Sequence, residues 1–190
     1  MELMQAIRTR RSIRSFAKDP IPREIIESLL RAATEAPSPK NNQPWRFVVV
    51  AGEKRDSLLA TIHGMVQEEL AGGRIGVWVE ATVRAMENAP VFILVYNRAT
   101  SRYKTEKDPV LARVIDVQSI GACIQNMLLA THEQGLGALW ICDLLDVEPV
   151  VRMLQSEEEL VAVIAMGYPA VSPPHPPRYP LEDVVTWQTE

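Results

Sequence analysis

The chain is poor in the residues from which a protein builds a reactive site unaided. It holds two cysteines, Cys123 and Cys142, and three histidines among 190 residues. Both cysteines lie in apolar surroundings without a C-x-x-C pair or a histidine at metal-ligand spacing, so no metal is expected and both thiols read as reduced core residues. G-x-G-x-x-G, H-E-x-x-H and G-x-S-x-G are all missing, as is an obvious nucleophile with its base. No apolar run approaches the ~18 residues of a membrane span. Residues 1–14 alternate polar and apolar with no continuous apolar segment, so neither a membrane association nor a secretory signal is expected, and the expected location is cytoplasmic. A basic surplus is also absent: the net charge is −4. That balance argues against nucleic acid as a partner, and leaves the few clustered arginines in need of a small anionic target.

What is present is ordinary for one globular domain spanning residues 1–190, with 47% apolar and 23% charged residues. Leu3, Met4 and Ile7 make a short amphipathic segment whose helical part ends before Ser12. Pro22 opens a helix with the apolar face Ile25, Ile26, Leu29, Leu30 and Ala33, which ends before Pro37. The β-branched run 47–51 reads as a strand buried on both faces, and 91–96 as a second buried strand. Further strands are expected at 138–142 and 160–166. Helical periodicity covers 54–70, 76–88 and 112–132, the last apolar around most of its circumference and so destined for the core or a subunit interface. A short acidic helix is expected at 147–155. Between these lie a polar, non-periodic excursion, 98–108, holding Arg98, Arg102, Tyr103 and Lys104, and an arm, 173–180, with five prolines in eight positions. Such an arm is extended, and its apolar tip of Val184, Val185 and Trp187 needs another surface. In the region between the first two strands, Trp78 reads as a core tryptophan and His63 as a surface histidine.

Two clusters carry chemistry. Arg10, Arg11 and Arg14 crowd three guanidiniums into five residues, which repel one another unless solvent or an anion compensates them. Alone the run reads as a solvated surface; Ser12 adds a hydroxyl of the kind that joins guanidiniums on a phosphate. The second cluster is the loop 36–45, where Pro37, Pro39 and Pro44 set backbone angles while Ser38, Asn41, Asn42 and Gln43 offer donors and acceptors. That is either a rigid connection satisfying its own backbone or a surface able to read the polar edge of a heteroaromatic ring.

The ordered set R-R-S-x-R at 10–14, A-P-S-x-x-N-x-Q-P-W at 36–45, G-L-G-A-L-W at 135–140, and Gly167-Tyr168-Pro169 followed by Arg178 and Pro180 resembles the nitroreductase family of flavin mononucleotide (FMN) enzymes. The resemblance spans nearly the whole chain. It implies an α+β, three-layer α-β-α fold with a mainly antiparallel central sheet, built as an intertwined homodimer with the arm 173–190 packed on the partner subunit and FMN at the interface. It implies that Arg10, Arg11 and Ser12 hold the phosphate and ribityl chain, that Arg14 stands beside the N1/O2 edge of the flavin, and that Arg178 closes on the phosphate. Pro37, Ser38, Pro39 and Asn41 resemble the loop lent by the partner subunit, and Leu139, Trp140 and Ile141 would line the flavin near N5.

The expected activity is reduction of a small flat acceptor, a nitroaromatic or quinone, with hydride supplied by NADH or NADPH in two alternating half-reactions. No catalytic side chain is expected, because the cofactor carries the hydride and the protein tunes it, Arg14 raising the flavin's potential. The alternatives are a specialised flavin enzyme of the same fold (dehalogenase, dehydrogenase or flavin-fragmenting) and, more remotely, a non-enzymatic protein binding nucleotides or nucleic acid through the basic run.

Overall fold

Alternation along one central strand organises the molecule. In a computed structural model describing residues 1–98, 109–154 and 157–189, β2 (Val91–Asn97) is buried along its whole length. Val91, Ile93 and Val95 point to one hydrophobic layer, and Phe92, Leu94 and Tyr96 to the other. Such two-sided burial requires helices on both faces. The sheet runs β1 (Trp45–Ala51), β2, β4 (Glu159–Gly167), β3 (Gly137–Ile141), and every neighbouring pair is antiparallel. On one face lie α2 (Arg23–Thr34) and α5 (Pro109–Glu133), contributing Leu29, Ala33, Ile120, Ile124 and Met127. On the other lie α3 (Gly52–Ala71), α4 (Val77–Met86) and α6 (Glu148–Leu154), contributing Ile62, Val66, Val83, Met86 and Val150. This is the three-layer α+β architecture expected. A β-bulge lies in β4, where Val95 pairs Ala162 but Tyr96 pairs Leu160, so Val161 is the extra residue and both strands keep their apolar sets inward.

The N-terminal segment positions the basic run. After α1 (Leu3–Thr9) the chain extends along the β3 side of the sheet. Ser12 bridges Ala138, Ile13 N–H donates to the Ala138 carbonyl at 3.0 Å, and Ala17 N–H donates to the Tyr168 carbonyl at 2.8 Å. Ile13 fits there because residue 137 has no side chain; a Cβ on Gly137 would lie 2.5 Å from Ile13 Cγ1. Helix α5 stops at Gly135, whose φ of 75° lets Leu136 N–H return to the Thr131 carbonyl at 3.0 Å and turns the chain directly into β3.

Several expectations need correction. The run 47–51 is not buried on both faces: β1 is an edge strand, with Val49 exposed, because only β2 pairs with it and the flanking helices cover it incompletely. Trp78 is 61% exposed at the first turn of α4, its ring over Gly76, rather than in the core. Cys142 is exposed, since β3 ends at Ile141 and the chain turns outward into a 3-10 segment, Asp143–Asp146; only Cys123 is buried, and burial pushes its thiol up to about 12. By length and composition α5 is apolar enough to cross a membrane, although Arg113 and Asp116 interrupt its apolar run; its buried face packs on α2 and the sheet. A short helix, α7 (Leu181–Val184), follows the extended arm where none was expected. His63 is exposed as read. Arg98 is exposed, while Arg102, Tyr103 and Lys104 lie outside the described residues.

The Gly137 to Ile13 contact ties stability to the position of the basic run. Gly137→Ala should destabilise the protein by about 1–3 kcal/mol, the usual range for an added methylene in a filled site, read as a lower urea midpoint. An unchanged midpoint would show that Ile13 moves aside freely.

Candidate functional site

The basic run stands where α1 ends and the sheet edge begins. Arg10 closes α1, its backbone leaving helical angles while its N–H still donates to the Ala6 carbonyl at 2.9 Å. Arg11 turns back, its Nη1 donating to the carbonyls of Arg8 and Arg10 at 2.8 and 2.7 Å. Arg14 is exposed and makes one long contact, Nη1 to the Ser12 carbonyl at 3.4 Å. Arg10 and Arg11 line a cavity of about 220 Å³ with Thr9, Ile13, His132 and Gly137. Arg10 is partly buried, and its guanidinium is held below its usual value by desolvation first, then by the positive charges of Arg178 and Arg11. The fold therefore brings Arg178, from the distant proline-rich arm, close enough to repel Arg10. Two of these cations line the cavity and the third lies within electrostatic reach of Arg10, an arrangement that a phosphate would relieve.

His132 and Thr9 were not anticipated. Thr9 Oγ1 lies 2.7 Å from His132 Nε2, in the last turn of α5. Nearby, the Met1 amino group pairs with Glu133 at 3.2 Å. Nothing in the spacing of residues 9 and 132 signals their contact; a basic residue just ahead of a helix-ending glycine was the only clue. Desolvation, then Arg10 and Arg11, lowers the His132 pKa.

Of the three β3 residues, Leu139 and Ile141 are buried in the core layer, while Trp140 is 38% exposed. The Ala138 carbonyl faces outward to Ile13, so the period of the antiparallel ladder puts the N–H and C=O of Trp140 on that same outer side. Trp140 thus offers both side chain and backbone at the sheet edge; Leu139 and Ile141 direct their polar groups toward β4.

The proline-rich loop is a shaped connection containing a 3-10 turn, Pro39–Asn41, although no helix was expected there. Lys40, Asn41 and Gln43 take left-handed angles, with φ of 55°, 53° and 48°, each costing about 1–2 kcal/mol. Ser38 Oγ accepts from Gln43 N–H at 2.9 Å, and Asn41 Oδ1 accepts from Gln43 Nε2 at 3.0 Å. Pro37, Pro39 and Asn41 are exposed and Ser38 is half-buried.

This loop and the basic run occupy opposite corners of the sheet. Ser12 aligns through Ala138, Met166 and Val91 with Ala51, the last residue of β1, whereas the loop enters Trp45, its first. The separation is four strand spacings, roughly 19 Å, across the sheet and six residues, roughly 20 Å, along it. The candidate residues therefore form two groups: Arg10, Arg11, Ser12, Arg14, Trp140 and Arg178 on the β3 side, and Pro37, Ser38, Pro39 and Asn41 at the β1 corner. A roomier cavity, about 430 Å³, lies elsewhere, beside Lys18 and Arg55. There the buried Arg55 guanidinium is occupied with the carbonyls of Met86, Glu87 and Ala89 that end α4, a structural task. Among the described residues no group of three or more His, Cys, Asp or Glu could hold a metal ion.

The layered fold, with its antiparallel sheet between two helical layers, is of the α+β, nitroreductase-like class. The chain belongs to the nitroreductase family, whose model matches residues 7–168, which makes it a member of a family of oxidoreductases. It is 33% identical over 178 residues to a protein of Methanothermobacter thermautotrophicus assigned as NADH dehydrogenase/NAD(P)H nitroreductase, covering 91% of this chain and 80% of that one. It is also 30% identical to the iodotyrosine deiodinase of Thermotoga neapolitana, covering 96% and 95%. A solved structure from Desulfovibrio desulfuricans, described as a nitroreductase in complex with FMN, superposes with a TM-score of 0.77 at 30% identity, covering 100% of this chain and 98% of that one.

The lowered His132 pKa gives a pH dependence of definite sign. Unfolded, the imidazole takes a proton near its ordinary ~6.5; folded, it does so only at lower pH. Between these values the unfolded chain binds more protons, so stability is lost as pH falls through that window and is fully present above it. The melting temperature should therefore drop more steeply between about pH 7 and pH 5 in the wild type than in His132→Asn. Parallel curves would remove His132 from the balance.

Proposed function

We propose that this protein is an FMN-dependent oxidoreductase that takes hydride from NADH or NADPH and passes two electrons to a nitroaromatic, quinone or similar flat acceptor. The observation that carries this reading is that Arg10 and Arg11 line one cavity with Arg178 within electrostatic reach of Arg10, on the β3 edge where the backbone of Trp140 faces outward. The residues fit the cofactor: Arg10, Arg11, Ser12 and Arg178 would hold its phosphate, and Trp140 would meet its ring. Leu139 and Ile141 back that contact from the core, and Arg14, exposed beyond Ser12, is the cation available to the ring edge. Once bound, FMN supplies the hydride chemistry; the chain's residues bind and orient it and shape the space for the second ligand.

The corner-to-corner separation of the loop from the basic run supports a homodimer, in which Pro37, Ser38, Pro39 and Asn41 of one protomer complete the site of the other. Exposed apolar residues support it too: Leu3, Met4 and Ile7 on α1, Val110, Leu111 and Val114 on α5, and Tyr179, Leu181, Val184 and Trp187 on the arm, the last 77% exposed. In this reading residues 1–190 are one domain whose 173–190 arm packs on the partner subunit, and the free thiols suit a reducing, cytoplasmic setting. The 30% identity to a deiodinase over nearly the full chain favours one second reading, a dedicated dehalogenase-type flavin enzyme of the same fold.

The test is the absorbance spectrum of the purified protein before and after anaerobic NADH or NADPH. Two flavin bands that bleach with a nicotinamide, and return with a quinone, are expected. A bound flavin that no nicotinamide reduces selects the second reading. A colourless protein whose melting temperature ignores added FMN overturns both. Removing residues 172–190 should cost both the dimer and the flavin, read by size exclusion at 450 nm; a soluble, yellow monomer would refute the exchanged arm.

A further inference from the structure

The proline-rich loop has a shape that its own contacts maintain but do not locate. Asn41 N–H donates to the Ser38 carbonyl at 2.9 Å, Asn42 N–H to the Pro39 carbonyl at 3.1 Å, and Gln43 to Ser38 and Asn41 through backbone and side chain. All four bonds join residues no more than five apart. They fold the loop on itself and leave its direction relative to the sheet and helices undetermined. Three left-handed, non-glycine residues within four positions make that direction more costly to hold.

Arg98 N–H donates to the Pro44 carbonyl at 2.8 Å, which only continues the β1 to β2 ladder. Asn42 Nδ2 reaches further, donating to Asp116 Oδ1 at 3.2 Å, across 74 residues. Asp116 is a carboxylate only 2% exposed, on a stretch of α5 whose other buried residues include Ala112, Ile120 and Cys123. A carboxyl group in such surroundings is costly unless hydrogen-bond donors meet it, and a loop amide does so here.

We propose that Asp116 is a positioning residue: by holding Asn42 it fixes where the loop stands, and so presents Pro37, Ser38, Pro39 and Asn41 to the flavin. The last clause rests on the function proposed above; the anchoring itself does not. Asp116 acts on the loop through Asn42.

Three variants separate anchoring from general stability. Asn42→Ala removes the loop's donor. Asp116→Asn keeps an oxygen that accepts from Asn42. Cys123→Ala opens space in the same buried helix without touching the loop. Each purified protein is treated with trypsin, following cleavage after Lys40, and titrated with FMN by fluorescence quenching, with melting temperatures recorded alongside. Asn42→Ala should be cut after Lys40 at least about tenfold faster than wild type, as expected when a local opening becomes easier, and should bind FMN about tenfold more weakly. Asp116→Asn should stay near wild type in both, and Cys123→Ala should show neither effect even where it melts lower. Wild-type cleavage in Asn42→Ala, or an equal effect in Cys123→Ala, overturns the anchor. If wild type binds no FMN, the proposed function falls, and cleavage after Lys40 still decides the anchor.

Discussion

The structure depends on the burial of α5 between α2 and the sheet. This helix of 25 residues is apolar around much of its circumference, so it can sit nowhere but in a layer covered on several sides. Its position sets two others. Asp116 meets the proline-rich loop near one end, and His132 meets Thr9 beside the basic run at the other. Sixteen residues of helix separate them, about 24 Å at the usual rise. A packed helix of that length is stiff, so the loop and the run are held apart as firmly as either is held in place.

That separation gives the electrostatics its meaning. Arg10 is partly buried and faces Arg178 and Arg11, and each of those influences works against its charge. A fold does not gain by collecting like charges around a cavity unless something of opposite sign enters it, and guanidiniums meet phosphate oxygens in paired, directional hydrogen bonds. Because Arg178 arrives on the proline-rich arm, an anion at this point would link cofactor binding to the placement of that arm. The same arm carries exposed apolar side chains that a second protomer would cover, so cofactor, arm and partner belong to one balance in the reading proposed here.

Much of the fold was legible because its signals are local. The helical period of Ile26, Leu29 and Ala33, the apolar run Val91 to Tyr96 and the glycine at 135 each report a constraint within a few residues, and α2, β2 and the end of α5 formed where those signals stood. Where the reading departed from the structure, the deciding partner lay far away in sequence. Val48 to Val50 look alike in an edge strand and a central one, since the difference is how many neighbours pair with the strand. Trp78 is exposed because no layer covers the start of α4, and Cys142 because β3 ends one residue earlier. Thr9, His132 and Asp116, the additions to the site and its support, are polar residues whose partners lie 74 or more positions away.

By itself the sequence determined which residue types stand in which order: a basic run after a short helix, a rigid polar loop before a strand, and a buried helix leading through glycines into another strand. Those follow from dihedral preference and hydrophobic period, which act over single turns of chain. Only the tertiary structure decided that Arg178 faces Arg10, that Trp140 rather than Leu139 or Ile141 turns its backbone outward, and that the loop and the run stand at opposite corners of one sheet. The physical reason is that charge, ladder phase and strand order depend on distances in space, and a four-stranded antiparallel sheet brings together residues that no local rule connects.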